Sequence, residues 1–268
     1  VLRAQLVDML ASKQLPAATV QDGSSFAECA AWHRAEHEAV RERHRQFWSR
    51  RLAGAVLRAP RAEVALPAMD VPLRSLHADE TYQLAQLAQR LNTTSAMLLH
   101  LLFAVVAARL QPGSTREDGS MVALACHVVT GREQHTSRTQ HVVGCLDTSV
   151  PVCIEVGQCD SLRLLASRTS HAFAEALEHS WQLPRGEFLR ASGREPSELF
   201  ELIPHINIMH MNESEMNQAV SMHSIERSQH TRWGLLLRAH VTQSQSTRMQ
   251  VTSADARLTG IVGFFFRR

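Results

Sequence analysis

The longest apolar run of the chain does most to limit its possible folds. Residues 95–110 read SAMLLHLLFAVVAARL, with His100 and Arg109 within the run. A membrane span takes about 18 to 20 apolar residues, so this run is too short. Thr93 or Thr94 can cap a helix at this position, and the sequence QPG that follows can end it. The pattern therefore predicts a core helix, which needs another apolar layer to pack against.

Apolar strands supply that layer. Residues 121–129, MVALACHVV, form a continuous apolar run typical of a buried strand, and residues 150–156, VPVCIEV, alternate with the period of a strand. Further strand patterns occur at 201–211, 221–228, 232–242 and 247–254, and a short helix is expected at 257–268. Helical patterns start near Asp79 and Asp160, the expected N-caps. Because strands and helices alternate, the sequence predicts an α/β fold with a mixed sheet.

The first 54 residues are predicted to be helical, with one loop. A helical pattern covers residues 1–13, and an Ala-, Glu- and Arg-rich pattern covers residues 26–54. In the second helix Phe26, Ala30, His33 and His37 are spaced as one face. The charged neighbours of His33, His37 and His44 indicate solvated imidazoles.

Residues 55–74 separate this region from the remainder. They contain three prolines and lack a helical period, which is typical of an extended linker. The predicted division is therefore residues 1–54, a linker at 55–74 and a main unit at 75–268. Val1 already resembles the middle of a helix, so we expect the sequence to be an excerpt of a longer chain.

Composition and charge exclude several classes of partner. The 28 basic and 26 acidic residues give a formal charge of +2 and are interspersed, so we expect neither nucleic acid nor a membrane surface as a partner. The five cysteines show no C-x-x-C spacing, which favours free thiols in a reducing cytoplasm over disulfides or zinc. The first residues show no secretory signal.

Several kinds of catalytic site lack their motif. The chain has no G-x-S-x-G elbow, no G-x-G-x-x-G and no P-loop. His205 and His210 lie five residues apart on a predicted strand, hence on opposite faces, so no metal site is expected. Cys145 has no positioned base and is expected to be a small packing residue. His100 and His127 are expected to be core histidines with satisfied hydrogen bonds.

Short motifs along the chain carry a family resemblance. FAECAAW at 26–32 is similar to the box Y-x-D-Y-A-x-W, and FWSRRLAG at 47–54 is similar to the aromatic-Trp-x-x-x-Leu-x-Gly element that follows it. Asn92 and Thr94 before the apolar helix are similar to G-x-T, and CHVVTGR at 126–132 is similar to G-x-P-V-A-x-R. In this order the motifs resemble those of condensation domains of nonribosomal peptide synthetases, within the chloramphenicol-acetyltransferase-like superfamily.

The stretch HVVGCLDTSVPVCI at 141–154 is similar to the family's V-G-x-F-x-N-T-x-P-x-R, on the strand edge that faces the substrate tunnel. Thr148, or Asp147 if the register slips by one, stands in place of the Asn, and Cys153 stands in place of the Arg. HSWQLPRGEFL at 179–189 and SELFELIPHINI at 197–208 are similar to two further motifs. The resemblance implies a tunnel lined by Arg132, Gly144, Asp147, Thr148, Ser149, His205 and Asn207, with His127 and His141 near it.

The resemblance also implies an architecture and an activity. The fold would be a chloramphenicol-acetyltransferase-like lobe, with a mixed, largely antiparallel sheet flanked by helices. Residues 1–54 would be the tail of the N-terminal lobe, and residues 75–268 the C-terminal lobe. The family transfers an acyl group from the phosphopantetheine arm of one carrier protein to an amine on another, and no cofactor is expected to bind directly. The implied partners are the N-terminal lobe, donor and acceptor carrier proteins, and adjacent synthetase modules.

One family motif is missing from this sequence. The H-H-x-x-x-D-G loop has no counterpart, since no His-His pair occurs. We expect the chain to begin shortly after that loop, to hold no catalytic residue and to be inactive in isolation. Two functions stay open at this point. The chain is either part of an amide-forming condensation domain or a noncatalytic platform that binds a carrier protein or a tailoring enzyme.

Overall fold

The structure is a computed structural model that describes residues 25–53, 55, 57, 69–72, 76–111, 113, 115–130, 139, 142, 144, 146–180, 186–211, 235–242 and 247–253. Its helices are α1 (Phe26–Leu52), α2 (Ala78–Arg90), α3 (Ser95–Arg109), α4 (Leu162–Ser180) and the single turn α5 (Leu199–Leu202), with 3₁₀ helices at Glu187–Ser192 and Pro196–Glu198. Its strands are β1 (Met69–Pro72), β2 (Met121–Val129), β3 (Thr148–Val156), β4 (His205–Met211), β5 (Leu236–Thr242) and β6 (Thr247–Ser253).

The described strands form one sheet in the order β1-β6-β5-β4-β2-β3. Strand β4 is parallel to β2 and β5, whereas the pairs β1–β6, β5–β6 and β2–β3 are antiparallel. The predicted α/β class with a mixed, largely antiparallel sheet is therefore confirmed. Strand β1 lies inside the segment that was predicted as a linker. As an edge strand it tolerates Pro72 at its end, because an edge position needs fewer N–H donors.

Helices α3 and α4 cover one face of the sheet. The core on this face contains Phe103 and Ala107 of α3, Ala123 and Ala125 of β2, and Ile206 of β4. The alanines of β2 leave room for the larger side chains of α3, so the helix and strand pack closely. The prediction of a core helix at 95–110 is confirmed.

Helix α1, the Glu187–Ser192 segment and α5 contribute to a second core. The fully buried Trp48 of α1 packs against Phe188, with ring centroids 5.5 Å apart. Leu124 and Cys126 of β2 belong to the same cluster and alternate along the strand with the alanines of the first core. Both faces of β2 are therefore buried, as its continuous apolar sequence indicated.

A tight turn joins α2 to α3. Asn92 has a φ of 56°, a left-handed conformation that Gly and Asn adopt more easily than other residues. The N–H groups of Asn92 and Thr93 donate to the carbonyls of Gln89 and Ala88 at 3.0 and 2.9 Å and close α2. The hydroxyl of Thr94 accepts from the N–H of Met97 at 3.2 Å and caps α3, one of the two caps proposed from the sequence.

The length and apolar character of a helix decide whether it could cross a membrane. Among the described residues, no single helix has the length and apolar character to cross a membrane. Helices α2 and α3 reach that length only as a pair, and the pair is bent by 93°.

Two predicted helix caps were wrong by one or two residues. His77 rather than Asp79 is the N-cap of α2. Ser161 rather than Asp160 caps α4, where its hydroxyl accepts from the N–H of Leu164 at 3.2 Å. Asp160 instead accepts from the N–H of Gly157 and from Arg168, both at 2.6 Å. Its carboxylate closes the β3–α4 loop and does not cap the N-terminus of α4.

Helix α1 buries histidines that its charged sequence suggested were solvated. His37 is 7% exposed and His44 is fully buried, whereas Phe26 is 46% exposed. The inward stripe consists of Cys29, His37, His44, Trp48 and Leu52. The Nδ1 of His44 lies 2.7 Å from the backbone carbonyl of His179 and donates to it, since a carbonyl only accepts. Its burial thus depends on a partner in α4, which the α1 sequence does not reveal.

Some predictions fall outside the described residues. These are the helices at 1–13 and 257–268, the strand at 221–228, and Arg132, His141 and Cys145. The division of the chain into lobes also stays a prediction.

Candidate functional site

Three predicted tunnel residues lie on the two strands that flank the end of β2. Ser149 of β3 and Asn207 of β4 both pair with Val128, one from each side, while Thr148 pairs with Val129. Paired residues share a face of a sheet and successive residues alternate, so Ser149 and Asn207 lie on one face and Thr148 on the other. Thr148 and Ser149 are buried and Asn207 is half-buried. The resemblance therefore pointed to one neighbourhood of the sheet, although not to one surface.

The other described tunnel candidates are more scattered. His205 is fully buried, and its Nδ1 donates to the backbone carbonyl of Ile203 at 2.8 Å. Asp147 is exposed just before β3. Gly144 is exposed, and a methyl group there would overlap the ring of Phe26. This glycine thus lets an aromatic side chain approach the backbone. Contact of any of these residues with a substrate stays a prediction.

A cavity of about 660 Å³ opens where α3 and α4 meet the end of β2. Its walls include Asn92, Thr94 and Met97 at the start of α3, residues 127–130, Ser170 and Phe173 of α4, and Ile208 of β4. This volume lies within the usual range of small-molecule sites. Three segments that carry the family resemblance, 92–94, 126–132 and 197–208, contribute to these walls. The cavity is therefore the candidate site.

The start of α3 gives one end of the cavity a polar character. The hydroxyls of Thr93 and Ser170 lie 2.7 Å apart, and this hydrogen bond joins the α2–α3 turn to α4. The N-terminal end of a helix carries partial positive charge, and α3 has no acidic residue in its first turn. This end of the cavity consequently favours an electronegative group over a cation.

Among the described residues that line the cavity, His127 is the titratable one. It is 7% exposed, and its ring packs edge-on against Phe173 with centroids 5.2 Å apart. Its Nδ1 lies 3.4 Å from Nδ1 of the fully buried His100. Burial lowers the pKa of His127 to about 4, and burial together with His127 lowers the pKa of His100 well below its usual value. Both imidazoles are therefore neutral at pH 7.

The prediction that His100 and His127 are core histidines is confirmed by their burial and their mutual hydrogen bond, but the prediction that they are satisfied is wrong for His100. Nε2 of His100 is buried without a hydrogen-bond partner among the described residues, and His127 borders a cavity. A local signal existed for His127, since it is the polar residue in an otherwise apolar strand. No local signal marks Ser170, because its partner Thr93 is 77 positions away in the chain.

The buried thiols near this part of the sheet are packing residues. Burial raises the pKa of Cys126, and it raises the pKa of Cys153 to about 12. Because the thiolate is the nucleophilic form, both side chains are unreactive at neutral pH. Among the residues that the structure describes, no group of three or more His, Cys, Asp or Glu side chains is placed to hold a metal ion.

Among known proteins, matches to this chain were found in solved structures. Neither a protein-family model nor a curated protein sequence matches the chain. The SgcC5 protein from Streptomyces globisporus is 16% identical to this chain, with a TM-score of 0.67. The match covers 96% of this chain and 61% of the SgcC5 chain. The first condensation domain of the CDA synthetase is 16% identical with a TM-score of 0.63, covering 99% and 57%. The X-domain from teicoplanin biosynthesis is 15% identical with a TM-score of 0.68, covering 99% and 62%.

These similarities define the fold. The chain has the fold of condensation domains and X-domains, which confirms the fold that the motif resemblance implied. It spans less than two thirds of the length of each of these structures.

Proposed function

We propose that this chain is the C-terminal lobe, with the tail of the N-terminal lobe, of a condensation-type domain that transfers an acyl group between carrier-bound substrates. The observation that carries the proposal is the convergence of three motif segments on one cavity in a chain with this fold. The acyl group would arrive as a phosphopantetheine thioester on a donor carrier protein, and the amine on an acceptor carrier protein. The N-terminal lobe and adjacent synthetase modules complete the set of partners.

The reaction is attack of a neutral amine on the thioester carbonyl. The carbon–nitrogen bond forms, the carbon–sulfur bond breaks, and the amine loses a proton while the departing pantetheine sulfur gains one. Such a reaction needs both groups held together, and donors for the oxyanion that develops. The cavity's apolar walls and the positive end of α3 suit the binding of a thioester. Handling of the amine's proton is assigned to the family's H-H-x-x-x-D-G loop, outside this sequence.

A cytoplasmic location is part of the same proposal. It is supported by the four described cysteines, Cys29, Cys126, Cys153 and Cys159, all of which are free thiols.

The test is a transfer assay on the full-length gene product that contains this chain. Donor carrier loaded with an acyl group and acceptor carrier loaded with an amino acid are mixed with the protein, and the acceptor is examined by intact mass spectrometry. We expect an acceptor mass increased by the acyl group, and no increase when the donor is loaded with pantetheine alone. A full-length sequence without an H-H-x-x-x-D-G loop, or no transfer by folded protein with both carriers loaded, would contradict the proposal.

A noncatalytic platform is the second candidate, and one comparison favours it. An X-domain from teicoplanin biosynthesis, solved as a complex with OxyB, is 14% identical with a TM-score of 0.66 and covers 91% of this chain and 56% of its own. The replacement of the family's Asn and Arg by Thr148 and Cys153 fits a site that no longer catalyses. Calorimetric binding of a loaded carrier or a tailoring enzyme without any transfer would support the platform, and absence of binding would exclude it.

A further inference from the structure

The His100–His127 pair has one contact that limits where its protons can be. Nδ1 of His127 and Nδ1 of His100 are 3.4 Å apart, and the ring centroids are 5.5 Å apart. Both imidazoles are neutral because burial lowers their pKa values. A neutral imidazole has one N–H and one bare nitrogen, so a hydrogen bond between the two Nδ1 atoms needs one of each. Two proton arrangements satisfy this condition.

The two proton arrangements differ in whether the buried Nε2 of His100 is an N–H or a bare nitrogen. If His127 donates from Nδ1, His100 must carry its proton on Nε2, and this N–H is buried without an acceptor among the described residues. If His100 donates from Nδ1, its Nε2 is a bare lone pair at the same buried position. Among backbone groups, a buried N–H without a partner is rarer than a C=O without one, and we infer the same order for imidazole nitrogens. The second arrangement is therefore favoured, and it places the proton of His127 on Nε2.

This N–H of His127 is available to a ligand. The side chain is 7% exposed and lines the cavity, and its Nε2 makes no hydrogen bond to any residue that the structure describes. Phe173 packs against the ring and, with His100, fixes its orientation. We propose that His127 donates a hydrogen bond from Nε2 to a carbonyl oxygen of the substrate in this cavity, and that His100 is the positioning residue that sets its tautomer.

The chemical class of the ligand follows from the donor. An N–H recognises an acceptor oxygen, and the positive end of α3 favours the same kind of group. An amine or ammonium would instead bring its own donors. This inference rests on the proposed function, in which the carbonyl belongs to the acyl thioester. As the amine attacks, negative charge grows on this oxygen, and His127 stabilises it while keeping its own proton, because its lowered pKa keeps it a neutral donor.

The tautomer is tested first, without substrate. Nitrogen-15 NMR of the chain labelled at histidine reports which ring nitrogen carries the proton, and the signals of His127 are assigned by their loss in His127→Gln. We expect a protonated Nε2 and a bare Nδ1 in His127 at pH 7. A proton on Nδ1, or a doubly protonated ring, would overturn the inference.

Contact with the carbonyl is tested in the full-length protein with a thioester carrying carbon-13 at its carbonyl. His127→Met removes the donor at similar volume, and His127→Gln retains an N–H near the position of Nε2. We expect His127→Met to slow single-turnover transfer by on the order of 100-fold, the usual cost of one oxyanion donor. The infrared band of the bound carbonyl should also move to higher frequency. His127→Gln should retain most of the wild-type transfer rate and most of the wild-type shift of the carbonyl band. A merely structural role of His127 would not explain this result.

The outcomes separate this inference from the function on which it rests. If the wild-type protein forms product and His127→Met is equally fast with an unchanged carbonyl band, the donor role of His127 is wrong and the proposed function stands. If the wild-type protein lowers the carbonyl frequency and His127→Met reverses that shift but no amide forms, the donor role stands and the proposed function fails. If the wild-type protein does not bind the thioester, both are overturned.

Discussion

Two pairs of histidines meet inside this fold, and they differ in what their nitrogens contact. The rings of His44 and His179 are 5.0 Å apart, and those of His100 and His127 are 5.5 Å apart. In the first pair His44 donates to the backbone carbonyl of His179, which also accepts from Trp48 at 3.2 Å. In the second pair the imidazoles contact each other beside a cavity. The first pair fastens α1 to the end of α4, whereas the second leaves an N–H available for chemistry.

Burial of a histidine does not by itself indicate function. A ring nitrogen that donates to a backbone carbonyl contributes to stability by satisfying a helix end. Each pair also has a buried ring nitrogen without a hydrogen-bond partner among the described residues, Nδ1 of His179 in the first and Nε2 of His100 in the second, and such an atom costs stability because it has lost its water. The second pair differs because its His127 lines a cavity. Perturbation of the first pair should therefore reduce stability, and perturbation of the second should reduce activity more than stability.

The largest expected loss of stability is at the first pair. Trp48→Ala removes a fully buried indole and its hydrogen bond to His179, which should cost about 3 to 5 kcal/mol of unfolding free energy. Trp48→Phe keeps an aromatic ring and should cost about half as much. Urea denaturation followed by circular dichroism measures both. A cost below about 1 kcal/mol for the alanine variant would show that α1 is not part of the cooperative core.

Acid should weaken the fold through the second pair. The pKa of His127 is about 4 in the folded protein and near 6.5 in the unfolded chain, so the unfolded chain binds more protons between these values. The unfolding free energy that depends on a neutral His127 is fully present above pH 6.5 and is lost progressively as the pH falls to about 4. The loss is on the order of 3 kcal/mol. Between pH 7 and pH 5, the unfolding free energy of His127→Gln should fall less steeply than that of the wild-type protein. The same dependence on pH in both proteins would contradict the burial of a neutral His127.

Two glycines offer a matched test of the segment beneath Trp48. Gly186 and Gly193 both have left-handed φ values, 78° and 73°, at the two ends of the Glu187–Ser192 helix. A Cβ at Gly186 would lie 2.7 Å from the backbone carbonyl oxygen of Pro196, whereas no atom of a described residue lies within 4 Å of one at Gly193. Gly193→Ala should cost about 1 kcal/mol for the conformation alone, and Gly186→Ala about 2 to 3 kcal/mol. Equal thermal shifts for the two variants would show that the Pro196 contact relaxes freely.

The smallest effect is expected at the cavity's own helix cap. Thr94→Ala removes the hydroxyl that accepts from Met97 and should cost about 1 kcal/mol, while Thr94→Ser should cost little. Denaturant midpoints of the two variants provide the measurement. If serine costs as much as alanine, the methyl group of Thr94 rather than its hydroxyl holds the start of α3.

The sequence predicted those features that depend on neighbouring residues. The apolar patterns of α3, β2 and β3 identified a helix and two strands, because periodicity reflects burial of one element. The caps at Asp79 and Asp160 were misplaced, because a cap depends on the geometry of single residues. The burial of His44 depends on a carbonyl 135 positions away, and nothing local encodes that contact. Segments that carry the motif resemblance line the cavity, but none of the described tunnel candidates does. The contact of His127 with His100 required the packing of α3 on β2.

The most direct test of the cavity as the substrate site is photocrosslinking. A donor carrier bearing an acyl-pantetheine with a photoreactive group on its acyl chain is irradiated with the full-length protein, and the labelled peptides are identified by mass spectrometry. We expect labels on Met97, Thr130 or Ile208, and fewer labels in competition with an unreactive acyl carrier. Labels confined to α1 or the Glu187–Ser192 segment, or labelling unaffected by the competitor, would contradict the claim that this cavity receives the acyl group.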